Sequence, residues 1–134
     1  MLDLDRLKEI NDTYGHEAGD RALRAIGSVL KATVRQNDLC ARFAGDEFVV
    51  VLWDCPPEHE ARRVQELQSA VAAHPFEPRP GVRLSLSISA GPARYPNDGH
   101  SFDELLAAAD ERMYRDKAVR RSRSALRQNV IAQN

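Results

Sequence analysis

Leu39-Cys40-Ala41-Arg42-Phe43-Ala44-Gly45-Asp46-Glu47-Phe48-Val49-Val50-Val51-Leu52-Trp53 contains two short apolar runs, Leu39 to Phe43 and Phe48 to Trp53. The tetrad Ala44-Gly45-Asp46-Glu47 splits them. β-prone residues on both sides of a glycine-containing polar tetrad predict a hairpin. Such a turn sets Asp46 and Glu47 side by side on a rigid edge, where two carboxylates repel unless solvent or a cation relieves them. Spacing alone leaves both forms of relief open.

The neighbouring segments supply what this hairpin packs against. Upstream, residues 5 to 14 read as a short helix closed by Gly15, and Glu17 to Val34 as a second. In the second, Leu23, Ile26, Leu30 and Val34 recur every three to four residues and mark one buried face. Downstream, Pro56-Pro57 opens a third helix, with Ala61, Val64, Leu67 and Val71 on one face. Pro75 to Gly81 reads as a proline-rich loop. From Val82 to Ala90, apolar residues alternate with Arg83, Ser85, Ser87 and Ser89, which predicts one strand with a buried and a polar face. Tyr95 to Gly99 is a turn. Ser101 and Glu104 then form a capping-box pattern for a last helix, with Phe102, Leu105, Leu106, Ala109 and Met113 toward the core.

This order predicts an α+β domain, an antiparallel-rich central sheet flanked by four helices. A strand should also carry Asp3 into the sheet. Only Met1 and Leu2 precede it, so the first strand is expected to be truncated. The domain is expected to occupy residues 1–121, followed by a polar, basic tail over 122–134 that frays from Arg120 onward.

Composition excludes several classes. Lys plus Arg number 19 against 20 for Asp plus Glu in 134 residues, which argues against a general nucleic-acid coat held by phosphate neutralisation. No basic groove or aromatic platform for a nucleic-acid enzyme is evident. No apolar run approaches the roughly 20 residues that span a bilayer, and Met1-Leu2-Asp3 does not open a signal peptide, so a cytoplasmic domain is expected. Cys40 and Cys55, with His59 beyond, lack zinc-finger spacing and read as incidental thiols.

Four groups of residues could carry chemistry. Asp3 and Asp5 precede the first helix, and Asp46 with Glu47 occupies the hairpin turn. If Asp3 and Asp46 converge, they form the kind of carboxylate pair that Mg²⁺ uses while taking its remaining ligands from substrate phosphates. The start of the first helix offers unpaired N–H groups to a phosphate, and Lys8 adds a point charge. No Walker-type loop or GxGxxG occurs. Asn11 and Asp20 together could read a guanine edge. Unaided, Asn11 is also an exposed helix residue and Asp20 a first-turn acid favoured by the helix dipole. Arg35 and Asp38 form an Arg-x-x-Asp unit, either a surface ion pair or a phosphate fork beside a base-reading carboxylate. His16 has no Ser or Cys partner and reads as a local hydrogen-bonder.

Taken together, these residues resemble the GGDEF family. Asp3 to Asp20 is similar to its D-x-D-x-F-K-x-x-N-D-x-x-G-H-x-x-G-D opening, with Leu7 in place of Phe. Arg42 to Phe48 resembles the signature hairpin R-[YF]-G-G-[DE]-E-F, with Ala44 at the first glycine. Asp110 to Lys117 resembles the closing helix, although Arg120 and Ser122 replace the Gly and Asn that usually flank Arg121.

The resemblance implies a nucleotidyl-cyclase, polymerase-palm-like fold and a diguanylate cyclase. Two GTP-loaded domains would meet as a homodimer and form cyclic di-GMP and two pyrophosphates. Asp3, Asp46 and the Leu4 carbonyl would hold Mg²⁺ (or Mn²⁺), with Glu47 as a further metal or catalytic carboxylate. Asn11 and Asp20 would read guanine. Lys8 with the backbone at Leu7, Lys117 and Arg121 would hold phosphates, and Ala44-Gly45 would let the substrate approach the hairpin. Arg35 and Asp38 would bind cyclic di-GMP as inhibitor. A domain that only senses GTP or cyclic di-GMP is the competing reading, favoured by Ala44 and the short first strand.

Overall fold

The computed structural model describes residues 1–132. A four-stranded sheet is built from β1 (Leu2–Leu4), β2 (Leu39–Ala44), β3 (Glu47–Val51) and β6 (Ile88–Ala90). Its strand order is β2-β3-β1-β6, with every neighbouring pair antiparallel. A separate hairpin pairs β4 (Phe76–Arg79) with β5 (Val82–Leu84). The helices are α1 (Leu7–Tyr14), α2 (His16–Thr33), α3 (Glu60–Ala73) and α4 (Phe102–Ala132). A single 3₁₀ turn, Pro57–His59, leads into α3.

The short first strand is the hub of the sheet. Leu2 pairs with Phe48 on β3 and Ala90 on β6, and Asp3 pairs with Glu47 and Ser89. Alternation along three residues sends Leu2 and Leu4 into the core and Asp3 to the opposite face. The core face meets α2, whose Ala22, Leu23, Ile26 and Leu30 are buried where the 3.6-residue period predicted. Gly27 lets α2 approach this face, since a β-carbon there would stand 3.3 Å from the Phe48 ring. From α3, Leu67 and Val71 complete the core.

Several expectations are corrected. The proline-rich segment after Pro75 forms β4, because Phe76 and Pro78 alternate inward while Glu77 and Arg79 face solvent. Proline is tolerated in a strand whose outer edge is unpaired. The single strand expected over Val82 to Ala90 is two strands in different sheets. Its apolar alternation persists across the break, where Leu86 remains buried and Ser85 Oγ donates to the Ala72 carbonyl. Phe102 is 58% exposed and lies 6.4 Å from the Phe43 ring, outside the core. The tail expected to fray from Arg120 is helical, since α4 continues to Ala132. Asp5 and Arg6 stand outside α1, with Arg6 in the left-handed region at φ 62°.

Candidate active site where the β2–β3 turn meets β1

The β2–β3 turn forms as the sequence predicts. Gly45 takes φ 38°, the register shifts between Arg42 and Ala44, and Arg42 Nε donates to the Gly45 carbonyl at 2.8 Å. The turn leans on β1, where the Leu4 N–H donates to the Asp46 carbonyl at 3.3 Å. Together with the Asp3–Glu47 register pair, this contact gathers Asp3, Asp46 and Glu47 where the β2–β3 turn meets β1. Ala44 and Gly45 are exposed at the tip.

Asp3 is the buried member, 6% exposed. Its Oδ2 accepts from Lys117 Nζ at 2.6 Å, whereas its Oδ1 is buried with no hydrogen-bond partner. Burial, with the neighbouring Asp46 carboxylate adding to it, raises the Asp3 carboxyl to about 6 despite the opposing Lys117 ammonium. A buried carboxylate with a free oxygen beside a second carboxylate is suited to a hard divalent cation. Among the described residues no three His, Cys, Asp or Glu side chains form a metal cage.

Asp5 belongs to the scaffold. Its carboxylate accepts from Ser87 Oγ at 2.8 Å and from Ser89 Oγ, while its N–H donates to the Ser87 carbonyl at 2.9 Å. It ties the end of β1 to β6.

A second locus lies between α1 and α2. A β-carbon on Gly19 would overlap the Asn11 amide and approach Leu7 Cδ1 to 3.2 Å, so glycine permits the contact. The Asn11 Oδ1 is buried without a partner, and exposed Asp20 follows Gly19 directly. Lys8 and Arg121 are exposed. Of the sequence-predicted cations, Lys117 is placed against the Asp3 carboxylate.

Arg35 and Asp38 lie in the turn just before β2. The Asp38 side chain is fully buried and accepts from the Arg35 N–H at 3.0 Å, Arg35 Nε at 3.1 Å and the Trp53 N–H at 3.1 Å. Burial alone would raise its carboxyl, but these Arg35 and Trp53 donors hold it below the usual range. Arg35 is half exposed and is the member of the pair that faces solvent.

Two positioning residues were not singled out from the sequence. Asp116 Oδ2 accepts from the Ala90 N–H at 2.9 Å and from Gln68 Nε2 at 3.1 Å, fixing α4 against β6 and α3. Gly91 allows the close approach, because a β-carbon there would collide with the Ala109 and Met113 backbone. Asp116 lies within the closing-helix motif, so its neighbour Lys117 was the available signal.

The sequence profile of the family described as "Diguanylate cyclase, GGDEF domain" matches residues 1–123. This chain belongs to the GGDEF family. The GGDEF domain is 35% identical to Diguanylate cyclase DosC of Escherichia coli over 127 residues, covering 94% of this chain and 27% of that protein. It resembles the solved GGDEF domain of PA1120 (YfiN or TpbB) from Pseudomonas aeruginosa, with TM-score 0.80 and 37% identity. That match covers 87% of this chain and 73% of the other. The GGDEF domain of DgcB from Caulobacter crescentus, solved in complex with c-di-GMP, aligns with TM-score 0.77 and 27% identity over 87% of this chain and 69% of its own. The chain spans between 15% and 34% of the length of the first curated relatives it matches. Among the described residues, no helix is long and apolar enough to cross a membrane.

Proposed function

We propose that this domain is a diguanylate cyclase that condenses two GTP molecules into cyclic di-GMP and releases two pyrophosphates. The observation that carries the reading is the meeting of Asp3, Asp46 and Glu47 where the β2–β3 turn meets β1, with Lys117 against Asp3. A lone carboxylate pair in a turn is unremarkable; this set includes a buried oxygen without a partner.

Each residue has a role in that reading. Asp3, Asp46 and the Leu4 carbonyl would hold Mg²⁺ or Mn²⁺, with Glu47 beside them. The bound cation supplies charge neutralisation for the triphosphate and its leaving group. Asn11, whose acceptor lacks a partner, and Asp20 would bind the guanine edge; adenine would leave those groups unmatched. Lys8 with the backbone at Leu7, together with Lys117 and Arg121, would take the phosphates. The exposed Ala44-Gly45 tip admits substrate close to the backbone. Glu47, only partly shielded, would accept the proton of the attacking 3′-hydroxyl.

The new bond joins that 3′-oxygen to the α-phosphorus of the second GTP. The bond from the α-phosphorus to pyrophosphate breaks, and two such transfers close the ring. One domain binds one GTP, so the reaction requires a homodimer with the two sites facing. Alignment of the reacting groups across it supplies much of the rate. The reaction would take place in the cytoplasm, where GTP is supplied. Arg35, exposed beside buried Asp38, would form the product-inhibition site with it; cyclic di-GMP is the ligand solved with the DgcB domain.

The test is incubation of the domain with GTP and Mg²⁺ and identification of product by mass. Cyclic di-GMP with pyrophosphate supports the reading. GTP binding without either product contradicts it and leaves a nucleotide-sensing domain.

A further inference from the structure

Lys117 projects from α4 at the level of Asp3, and the two side chains are 20% and 9% exposed. The lysine neutralises one oxygen of a carboxylate whose other oxygen has no partner. Asp3 is therefore paired with a cation and still incompletely coordinated. The helix carrying Lys117 is held in place, because Asp116 binds the Ala90 N–H at 2.9 Å and the Gly91 backbone abuts Ala109 and Met113. An ammonium on a flexible four-carbon stem can leave by side-chain rotation while its helix stays fixed. A dication arriving at Asp3 meets a positive charge already on the same carboxylate, and at this separation the repulsion is large in a shielded site.

We propose that Lys117 is a resident counter-ion of Asp3 that a divalent cation must displace, and that the triphosphate completes the exchange by taking up the released lysine. The inference rests on the cation and phosphate roles in the proposed function and adds an order to them. The nucleotide-free domain binds a divalent cation weakly at Asp3. Cation and triphosphate together bind tightly, because Lys117 exchanges one anionic partner for another. The ion pair thus restrains the site from loading with metal alone.

The experiment titrates Mn²⁺ into nucleotide-free protein and follows free Mn²⁺ by electron paramagnetic resonance. Lys117→Met should bind Mn²⁺ about tenfold or more tightly than the wild type. Adding Asp3→Asn to that variant should remove the gain. Equal affinities for wild type and Lys117→Met, or a gain that survives Asp3→Asn, would overturn the proposal. A second measurement needs only the wild-type chain: acylation of Lys117 by an amine reagent, read by mass spectrometry. Saturating Mn²⁺ should increase labelling, and Mg²⁺ with a non-hydrolysable GTP analogue should suppress it again. Unchanged labelling under saturating Mn²⁺ contradicts displacement. Neither readout needs turnover, so a chain that exchanges Lys117 yet makes no cyclic dinucleotide retains this inference and loses the cyclase assignment.

Discussion

Asp116 Oδ2 accepts the Ala90 N–H at 2.9 Å, so the residue before Lys117 is bonded to the strand beside Asp3. This bond sets the height of α4 over the sheet and thereby brings Lys117 to the Asp3 carboxylate. Asp116→Ala would leave the Ala90 donor without that partner and release Gln68 and Arg120 from the same carboxylate. The expected cost is about 1–3 kcal/mol in urea unfolding. GTP affinity should also fall, since a loosened α4 no longer fixes Lys117. Unchanged stability would show that the apolar contacts of α4 alone position it.

The α1–α2 contact makes a separate prediction. Gly19→Ala forces a methyl group into the Asn11 amide. Overpacking of this kind typically costs about 1–3 kcal/mol. Asn11 should be displaced from the position proposed to read guanine, so calorimetry should show weakened GTP binding. Loss of the preference for GTP over ATP, with the fold retained by circular dichroism, would tie Asn11 to base recognition.

Arg35 and Asp38 should separate by phenotype. Asp38→Ala removes the acceptor for the Arg35 and Trp53 N–H groups and should destabilise the domain by about 1–3 kcal/mol. Arg35→Ala should instead raise the cyclic di-GMP concentration needed for half inhibition by about tenfold or more, as expected for loss of a phosphate fork. Product inhibition unchanged by Arg35→Ala would remove this site from the account.

Two carboxyls titrate with opposite sign. Asp98 is held at about 2, mainly by the Arg112 guanidinium and then by the Arg94 N–H. Its contribution to stability is full above the ordinary 3.8 and is lost as pH falls through about 2. Arg112→Gln should therefore narrow its stability gap to the wild type on acidification. Asp3 is raised from 3.8 to about 6, first by burial. In chelator its contribution is full below 3.8 and is lost as pH rises through about 6. Asp3→Asn should remove that loss, so the variant should gain on the wild type between acidic and neutral pH. Thermal unfolding across pH in chelator checks both signs.

Much of the fold was legible in the sequence because periodicity reports burial directly. Leu23, Ile26 and Leu30 identified the core face of α2, and the glycine-bearing tetrad identified the β2–β3 turn. Alternation from Val82 to Ala90 correctly marked extended chain. It could not reveal that Ser85 to Ser87 carries the chain from one sheet to another, because the pattern is the same on both sides. Phe102 followed the helical period and yet lies outside, since its partner is Phe43 at the hairpin end and not the core. At the site, motif spacing brought Asp3, Asp46 and Lys117 to notice. Their pairing joins positions 114 residues apart and depends on Asp116 and Gly91, whose roles are set by packing. Asp5 illustrates the converse: an acidic residue beside Asp3 in sequence is absorbed by Ser87 and Ser89.

The most direct test of the carboxylate site is pyrophosphate release from GTP and Mg²⁺, comparing the wild type with Asp46→Asn at equal concentration. That substitution keeps the turn's shape and removes one charge. The account predicts cyclic di-GMP formation by the wild type and a rate loss of about 100-fold or more in the variant, as for removal of a group that stabilises transition-state charge. A variant releasing pyrophosphate at the wild-type rate would contradict the proposed role of Asp46 in holding the cation with Asp3.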